Sequence, residues 1–298
     1  MSRPRQVLPG TTVVVSRRCS QRLFLLVPSE AVNAIVGYVL AVACRRYGIQ
    51  LHAVCVLSNH LHLVLTDLYG QLPAFEQFFN ALVAKAVNHY LGRWENFWAP
   101  NTYSSVTLLS PEDVVAKSAY VLANPVAAGL VRSGREWPGL WSAPESIGGA
   151  PVAFERPKIF FDPKGSMPPS ADLALHCPPG FASVEEFRER LQEALAELEA
   201  QAAEKLEAEG RSFLGVRRVL AQNPDARPTS REPRRGLNPR VASRNESKRI
   251  EALRRLKEFA VAYREALADW RRGIRDVIFP PGTYQMLRFH AVRCAAPA

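Results

Sequence analysis

Two imidazoles and a phenol are the groups of this chain best suited to chemistry. His60 and His62 stand at i and i+2 in the apolar run Leu57-Ser58-Asn59-His60-Leu61-His62-Leu63-Val64-Leu65. Side chains alternate across a strand, so the two histidines point one way while Leu61, Leu63 and Leu65 point the other. Neutral imidazoles side by side on a stiff strand make half of a divalent-metal site. Taken alone, the pair reads equally well as two partly exposed histidines that hold nothing. The phenol belongs to Tyr120, in the run Tyr120-Val121-Leu122-Ala123-Asn124-Pro125-Val126. A helix start precedes it at Ser110-Pro111-Glu112-Asp113. Serine suits the N-cap, proline the first helical position, and the two acids the positive end of the dipole. Tyr120 and Asn124 are four apart and therefore share a helix face. Pro125 disfavours the α conformation in its predecessor, which predicts that the helix ends at or near Asn124. By themselves these two read as a core tyrosine and a C-capping asparagine. Brought against two imidazoles, they become a nucleophile and a third metal ligand.

Together the two segments resemble the HUH-type tyrosine transposases, in particular the REP-associated tyrosine transposases and their insertion-sequence relatives, which act on single-stranded DNA. In that family the histidine pair lies in a Pro-Asn-His-x-His strand and the nucleophile opens a Tyr-Ile-x-x-Asn-Pro-Val helix. His60 and His62 match the metal-binding pair, Tyr120 the nucleophile, and Asn124 the residue that can complete the metal shell. The resemblance runs from about Thr12 to Trp141 and includes Trp137-Pro138. Ser58 replaces the usual proline, Ala127 stands where arginine is common, and Glu95 to Thr107 lacks the arginines often found there. These departures bear on DNA-hairpin recognition more than on the chemistry. The resemblance implies a transposase and single-strand DNA endonuclease in which magnesium or manganese is held by His60, His62 and Asn124. Tyr120 would attack phosphorus, leaving a 5′-phosphotyrosine and a free 3′-hydroxyl. DNA, single-stranded or hairpin-containing, is the implied partner, and a homodimer is compatible with it. Two other classes stay open at this level. One is a non-catalytic or domesticated nucleic-acid-binding protein on the same fold; the other is a metal-dependent hydrolase using water, with Tyr120 structural.

Such a reaction makes further demands on the sequence. A free phenol has a pKa of about 10 and needs activation at neutral pH. A mixed imidazole and amide shell would also accept zinc, nickel or cobalt. Unpaired bases stack on exposed aromatics, for which Trp94, Phe97, Trp98 and Tyr103 are candidates; the same cluster could instead be a small satellite core. Arg17, Arg18, Arg22, Lys85 and Arg93 are the expected phosphate contacts of this part of the chain.

The elements that must position these groups follow from local patterning. Strands are predicted at Thr11 to Ser16, Gln50 to Val56, Leu61 to Thr66 and Ser105 to Leu109, the middle pair joined by a hairpin turn at Leu57-Ser58-Asn59. Helices are predicted at Ser29 to Tyr47, Pro73 to Gly92 and Pro111 to Ala123. The order β-α-β-β-α-β is the ferredoxin-like, RRM-like plan of an α+β domain with an antiparallel sheet and packed helices. It sets both histidines on a central strand, where a packed helix can deliver a tyrosine. Residues 1–143 are expected to form this unit. Residues 144–182, rich in proline and glycine from Pro144 to Gly180, are expected to be a linker of little regular structure. Residues 183–298 are expected to be a mostly helical, basic extension. Ser183-Val184-Glu185-Glu186 is a capping box opening a helix to about Glu209, with Val184, Phe187, Leu191, Leu195 and Leu198 as a packing stripe. Ser212 to Gln222 reads as a short helix and Asn223 to Pro239 as extended. A long helix from about Asn245 to Arg272 should bury Ile250, Leu253, Leu256, Ala260, Tyr263, Leu267 and Trp270.

Charge is unevenly spread over the 298 residues. The net +10 arises from 12 Lys/Arg against 8 Asp/Glu in residues 1–150, 6 against 12 in 151–210, and 20 against 8 in 211–298. Eighteen of those last twenty cations are arginine, whose planar fork suits phosphate. That clustering is the footprint of a polyanion-binding face, or else a solvated helix surface. The five cysteines are scattered without a Cys-x-x-Cys pair, as in a reducing compartment. No secretory pattern opens the chain, and its longest apolar run, about Ala31 to Cys44, is too short to span a bilayer. A soluble, cytoplasmic protein without a membrane partner is expected.

Overall fold

The computed structural model describes residues 4–100, 103–230 and 239–297. β1 (Thr11–Arg18) is followed by α1 (Glu30–Tyr47), β2 (Ile49–Leu57), β3 (His60–Asp67), α2 (Leu72–Tyr90), β4 (Ser104–Leu108) and α3 (Pro111–Ala127). Each helix starts where its local chemistry says it should. Ser29 Oγ accepts the Val32 N–H at 3.2 Å, and Ser110 Oγ accepts that of Asp113 at 3.3 Å. Asp67 closes the turn into α2 by accepting the N–H groups of Gln71 and Leu72 at 2.9 and 2.7 Å. α1 ends at Gly48, whose φ of +65° is the left-handed C-cap that glycine adopts without a Cβ penalty.

The strands lie in the order β2-β3-β1-β4, with all three neighbouring pairs antiparallel, which is the ferredoxin-like arrangement. Its hairpin turn is two residues long, because Leu57 pairs with His60. Alternation sorts the side chains into two layers. Val13, Val15, Leu61, Leu63 and Leu65 pack with Ile35, Val39, Phe75 and Val83 of α1 and α2. Val14, Cys55 and Val64 face Val115, Ala119 and Leu122 of α3 on the other side. Helices therefore cover both faces of the sheet, and α3 has the same face as the histidines.

Downstream segments complete this body. β5 (Val152–Glu155) and β6 (Ser170–Leu173) form an antiparallel hairpin inside the stretch expected to lack regular structure. It packs on α1: Phe154 lies so close to Gly37 that a Cβ there would collide with its ring, and Phe161 meets Tyr38 edge-on at 5.3 Å. Tertiary contact with α1, rather than strand propensity, orders these proline-flanked strands. α4 (Val184–Ala208) has the expected cap, with the Glu186 N–H on Ser183 Oγ at 3.1 Å, and buries Phe187, Leu191 and Leu195 against α3. After α5 (Val216–Leu220), β7 (Val241–Ala242) adds to β4 in parallel as a fifth strand. Positions 231–238 of the stretch expected to be extended lie outside the described residues.

α6 (Glu246–Arg271) packs the later part of its expected stripe, Tyr263, Leu267 and Trp270, but not the first part. Phe259 and Ala266 are its buried positions, whereas Ile250 and Leu253 are about half exposed. Its first turns pass the two-residue β7, too short a partner to cover a whole stripe. β8 (Ile278–Phe279), α7 (Tyr284–His290) and β9 (Arg293–Cys294) close a small cluster around Phe279 and Met286 at its far end. No helix among the described residues is long and apolar enough to cross a membrane.

Candidate active site

The hairpin turn sets the first imidazole. Asn59 Nδ2 donates to the Arg22 carbonyl at 3.2 Å, which directs its Oδ1 to His60 Nδ1 at 2.6 Å. With Asn59 Oδ1 accepting, Nδ1 carries a proton, so in the neutral ring Nε2 is the nitrogen that offers a lone pair. His62, two residues on, is 9% exposed, and its ring stands perpendicular to that of His60 with centroids 5.0 Å apart. Burial, and then the neighbouring His60, push His62 down to about 3, so its imidazole is neutral at pH 7. Its Nδ1 is buried without a hydrogen-bond partner.

The phenol arrives from the opposite direction. α3 packs on the histidine face through Val115, Ala119 and Leu122, leaving Tyr120 48% exposed at its edge. The Tyr120 and His62 rings meet nearly at right angles with centroids 6.0 Å apart. Lys117, one turn earlier, holds its ammonium 5.4 Å from the centre of the Tyr120 ring. Asn124, one turn later, donates Nδ2 to the Tyr120 carbonyl at 2.8 Å. Against expectation, the helix does not stop at Asn124. It runs to Ala127 with Pro125 inside it, and the Ala128 N–H still reaches the Asn124 carbonyl at 2.9 Å. Proline loses its own N–H bond and crowds the carbonyl four residues back, yet two further residues follow before Gly129 turns the chain at φ +69°. Downstream, Trp141 Nε1 bonds the Leu122 carbonyl and Trp137 Nε1 the Val56 carbonyl, both at 2.9 Å, tying α3 to β2.

The five cations expected to touch phosphate divide by layer. Arg18 pairs with His60 across β1 and β3 and so shares the imidazole face. Arg17 turns to the other layer, beside Glu76 and 5.9 Å from the Trp98 ring. Arg22 is engaged by the carbonyl and hydroxyl of Ser230, and Arg93 by the Asp225 carboxylate at 2.7 Å. Lys85 is exposed on α2, across the sheet from the histidines. The aromatic cluster is mostly core. Phe97 is 3% exposed and packs edge-on against Trp98, whose Nε1 bonds the Asn80 carbonyl, and Tyr103 sits under Arg5. Trp94, at 89%, is the exposed one. Two functional candidates escaped the sequence reading: Asn59, which orients His60, and Lys117, whose i−3 spacing from Tyr120 was a readable signal.

The donor set can be tested against a divalent cation. Among the described residues no group of three His, Cys, Asp or Glu side chains converges, so a third protein ligand has to be of another type, such as an amide. A neutral His62 with an orphaned buried nitrogen, and a His60 with a fixed tautomer, fit that role.

No family model and no curated protein matches the chain. Among the solved structures similar to it are two transposases. One is a REP-associated tyrosine transposase bound to a REP hairpin, at 19% identity over 47% of this chain and 81% of that one, with a TM-score of 0.40. The other is described as a candidate transposase from Deinococcus radiodurans R1, at 18% identity over 36% of this chain and 85% of that one, with a TM-score of 0.28.

Proposed function

We propose that this protein cuts and rejoins single-stranded DNA through a covalent bond to Tyr120, as a transposase does. The observation that carries this reading is the meeting of Tyr120 and His62, at 6.0 Å between rings, from two elements far apart in sequence. A half-exposed phenol beside two imidazoles is poorly explained as packing alone. The Tyr120 oxygen attacks phosphorus, the bond from phosphorus to the 3′ oxygen breaks, and a 5′-phosphotyrosine forms. The phenolic proton leaves to solvent, and the departing 3′ oxygen takes one up as a hydroxyl. Because one phosphoester replaces another, that hydroxyl can reverse the step and join strands without a nucleotide cofactor.

His60 Nε2, His62 and the Asn124 amide oxygen would hold a divalent cation, magnesium or manganese by resemblance. Bound there, it supplies Lewis-acid stabilisation of the scissile phosphate. Lys117 and Arg18 flank the same place and would neutralise the remaining phosphate charge. A site on one sheet face suits a strand that can bend, hence DNA unpaired at the cut. Nucleophile and imidazoles come from a single chain, so cleavage needs no second subunit.

The decisive experiment is incubation with single-stranded DNA and magnesium or manganese, followed by a denaturing gel. A DNA-linked protein band should form and should vanish in Tyr120→Phe with DNA affinity retained. An adduct of undiminished yield in that variant excludes Tyr120 as nucleophile. Cleavage without any adduct would favour a hydrolase that uses water.

A further inference from the structure

A second feature lies across the sheet from the imidazoles. A surface pocket of about 350 Å³ opens between the end of α2 and the β5–β6 connection, lined by Lys85, Asn88, His89, Arg93, Trp94 and Phe160. That volume is at the small end of the ~300–1,000 Å³ range of ligand pockets and suits one flat group. Two large rings border it in positions where folding would ordinarily bury them: Trp94 is 89% exposed and Phe160 is 39% exposed. Phe160 holds a φ of +72°, in the left-handed region that a bulky side chain rarely adopts. His89 and Phe161 fix its ring, at centroid distances of 5.9 and 5.3 Å. The backbone thus keeps a strained conformation that presents an aromatic ring at a pocket mouth, the kind of strain that clusters at binding sites.

Among the described residues that line the pocket, Lys85 and Arg93 carry positive charge and none is a carboxylate. Arg93 is held by Asp225, an exposed carboxylate that a phosphate could replace. The pocket is also coupled to the reaction end of the sheet. The loop carrying Trp94 is pinned where β1 ends, by the Ser20 N–H on the Phe97 carbonyl and by the Ala99 N–H on the Arg18 carbonyl, at 2.8 and 2.9 Å. Arg18 in turn pairs with His60.

We propose that this pocket is a subsite for one unpaired base of single-stranded DNA, stacked against Trp94 and Phe160 with its flanking phosphates on Lys85 and Arg93. Aromatic faces with adjacent cations are the chemistry by which single strands are held without base-specific readout. The subsite rests on the reading of the protein as a single-strand DNA enzyme and adds where the strand is gripped away from the cut.

The test uses the full chain and three probes of equal length: an oligothymidylate, an abasic strand with the same phosphates, and a blunt duplex, all in EDTA. Oligothymidylate should quench tryptophan fluorescence and bind better than the abasic strand. Trp94→Ala should abolish most of that quenching and weaken oligothymidylate binding about ten-fold while leaving the abasic strand nearly unaffected. Phe160→Ala should weaken oligothymidylate binding as well. Trp94 is so exposed that its replacement does not threaten the fold. Equal oligothymidylate affinity in wild type and Trp94→Ala, or equal affinity of wild type for thymidylate and abasic strands, overturns the subsite. The adduct assay separates this from the proposed activity. An adduct without Trp94-dependent binding sinks the subsite alone, and Trp94-dependent binding without an adduct sinks the activity alone.

Discussion

The Asn124 side chain is tied to the backbone of Tyr120: its Nδ2 donates to the Tyr120 carbonyl at 2.8 Å. The amide is thereby oriented, with Oδ1 as the atom left to serve as a ligand. In the proposed metal site, alanine at position 124 would remove one neutral ligand that water can replace, whereas alanine at His60 or His62 would remove half of the imidazole pair. Titration calorimetry with manganese should show binding lost in His60→Ala and His62→Ala and weakened about ten-fold in Asn124→Ala. Adduct formation should follow the same order. Undiminished activity in EDTA would refute the metal's role.

Arg17 and Arg18 are neighbours in sequence but belong to opposite layers. Arg18→Ala should slow DNA cleavage by ten-fold or more, as loss of one stabilising charge at a phosphate does. Arg17→Gln should instead leave cleavage intact and lower thermal stability at alkaline pH, where the Glu76 carboxylate beside it is ionised. Kinetics and melting curves on the two variants should therefore diverge. A large kinetic defect in Arg17→Gln with Arg18→Ala intact would reverse the assignment of faces.

Residues 231–298 carry 16 Lys/Arg against 7 Asp/Glu. Among the described residues four of these cations, Arg249, Arg254, Arg255 and Arg272, pair with acids of α6, and exposed pairs of this kind leave the helix surface open to phosphate exchange. The acidic α4 spends its apolar stripe on α3, so cutting the chain before it would strip the helix that carries Tyr120. A chain ending at Ser230 keeps α4. It should retain metal binding yet bind long single-stranded DNA less tightly, with a shallower log–log salt slope from lost phosphate contacts. Equal slope and affinity would mark the arginines as solvated surface.

Glu76 is buried on α2, and that burial pushes its carboxyl up to about 8, against the pull of Tyr103, Arg5 and Arg17. Between its ordinary value of 4.5 and about 8 the folded chain holds a proton that the unfolded chain releases. Its contribution to stability is therefore complete below pH 4.5 and is lost as pH rises through 8. Glu76→Gln, which stays neutral, should flatten the fall in Tm between pH 5 and 8.5 and raise Tm at the alkaline end by roughly 2–4 °C for each kcal/mol relieved. An unchanged slope would mean that Glu76 is ionised in the folded state.

Sequence by itself determined the strand that presents His60 and His62 on one face, the helix that carries Tyr120 with Asn124 a turn away, and the order of elements that makes the sheet ferredoxin-like. These are written in short windows: a period of two in β3, a serine–proline start for α3, a capping box for α4. Tertiary structure decided the rest. It placed Tyr120 against His62, set the His60 tautomer through Asn59, sent Arg17 and Arg18 to different layers, and buried Phe97 while leaving Trp94 exposed. It also folded a proline-rich stretch onto α1 as β5 and β6 and added β7 to the sheet edge. The reason is that alternation and capping depend on a residue's own neighbours, whereas burial and hydrogen-bond partnership depend on which distant segment arrives, and a two-residue strand such as β7 carries no period of its own to announce it.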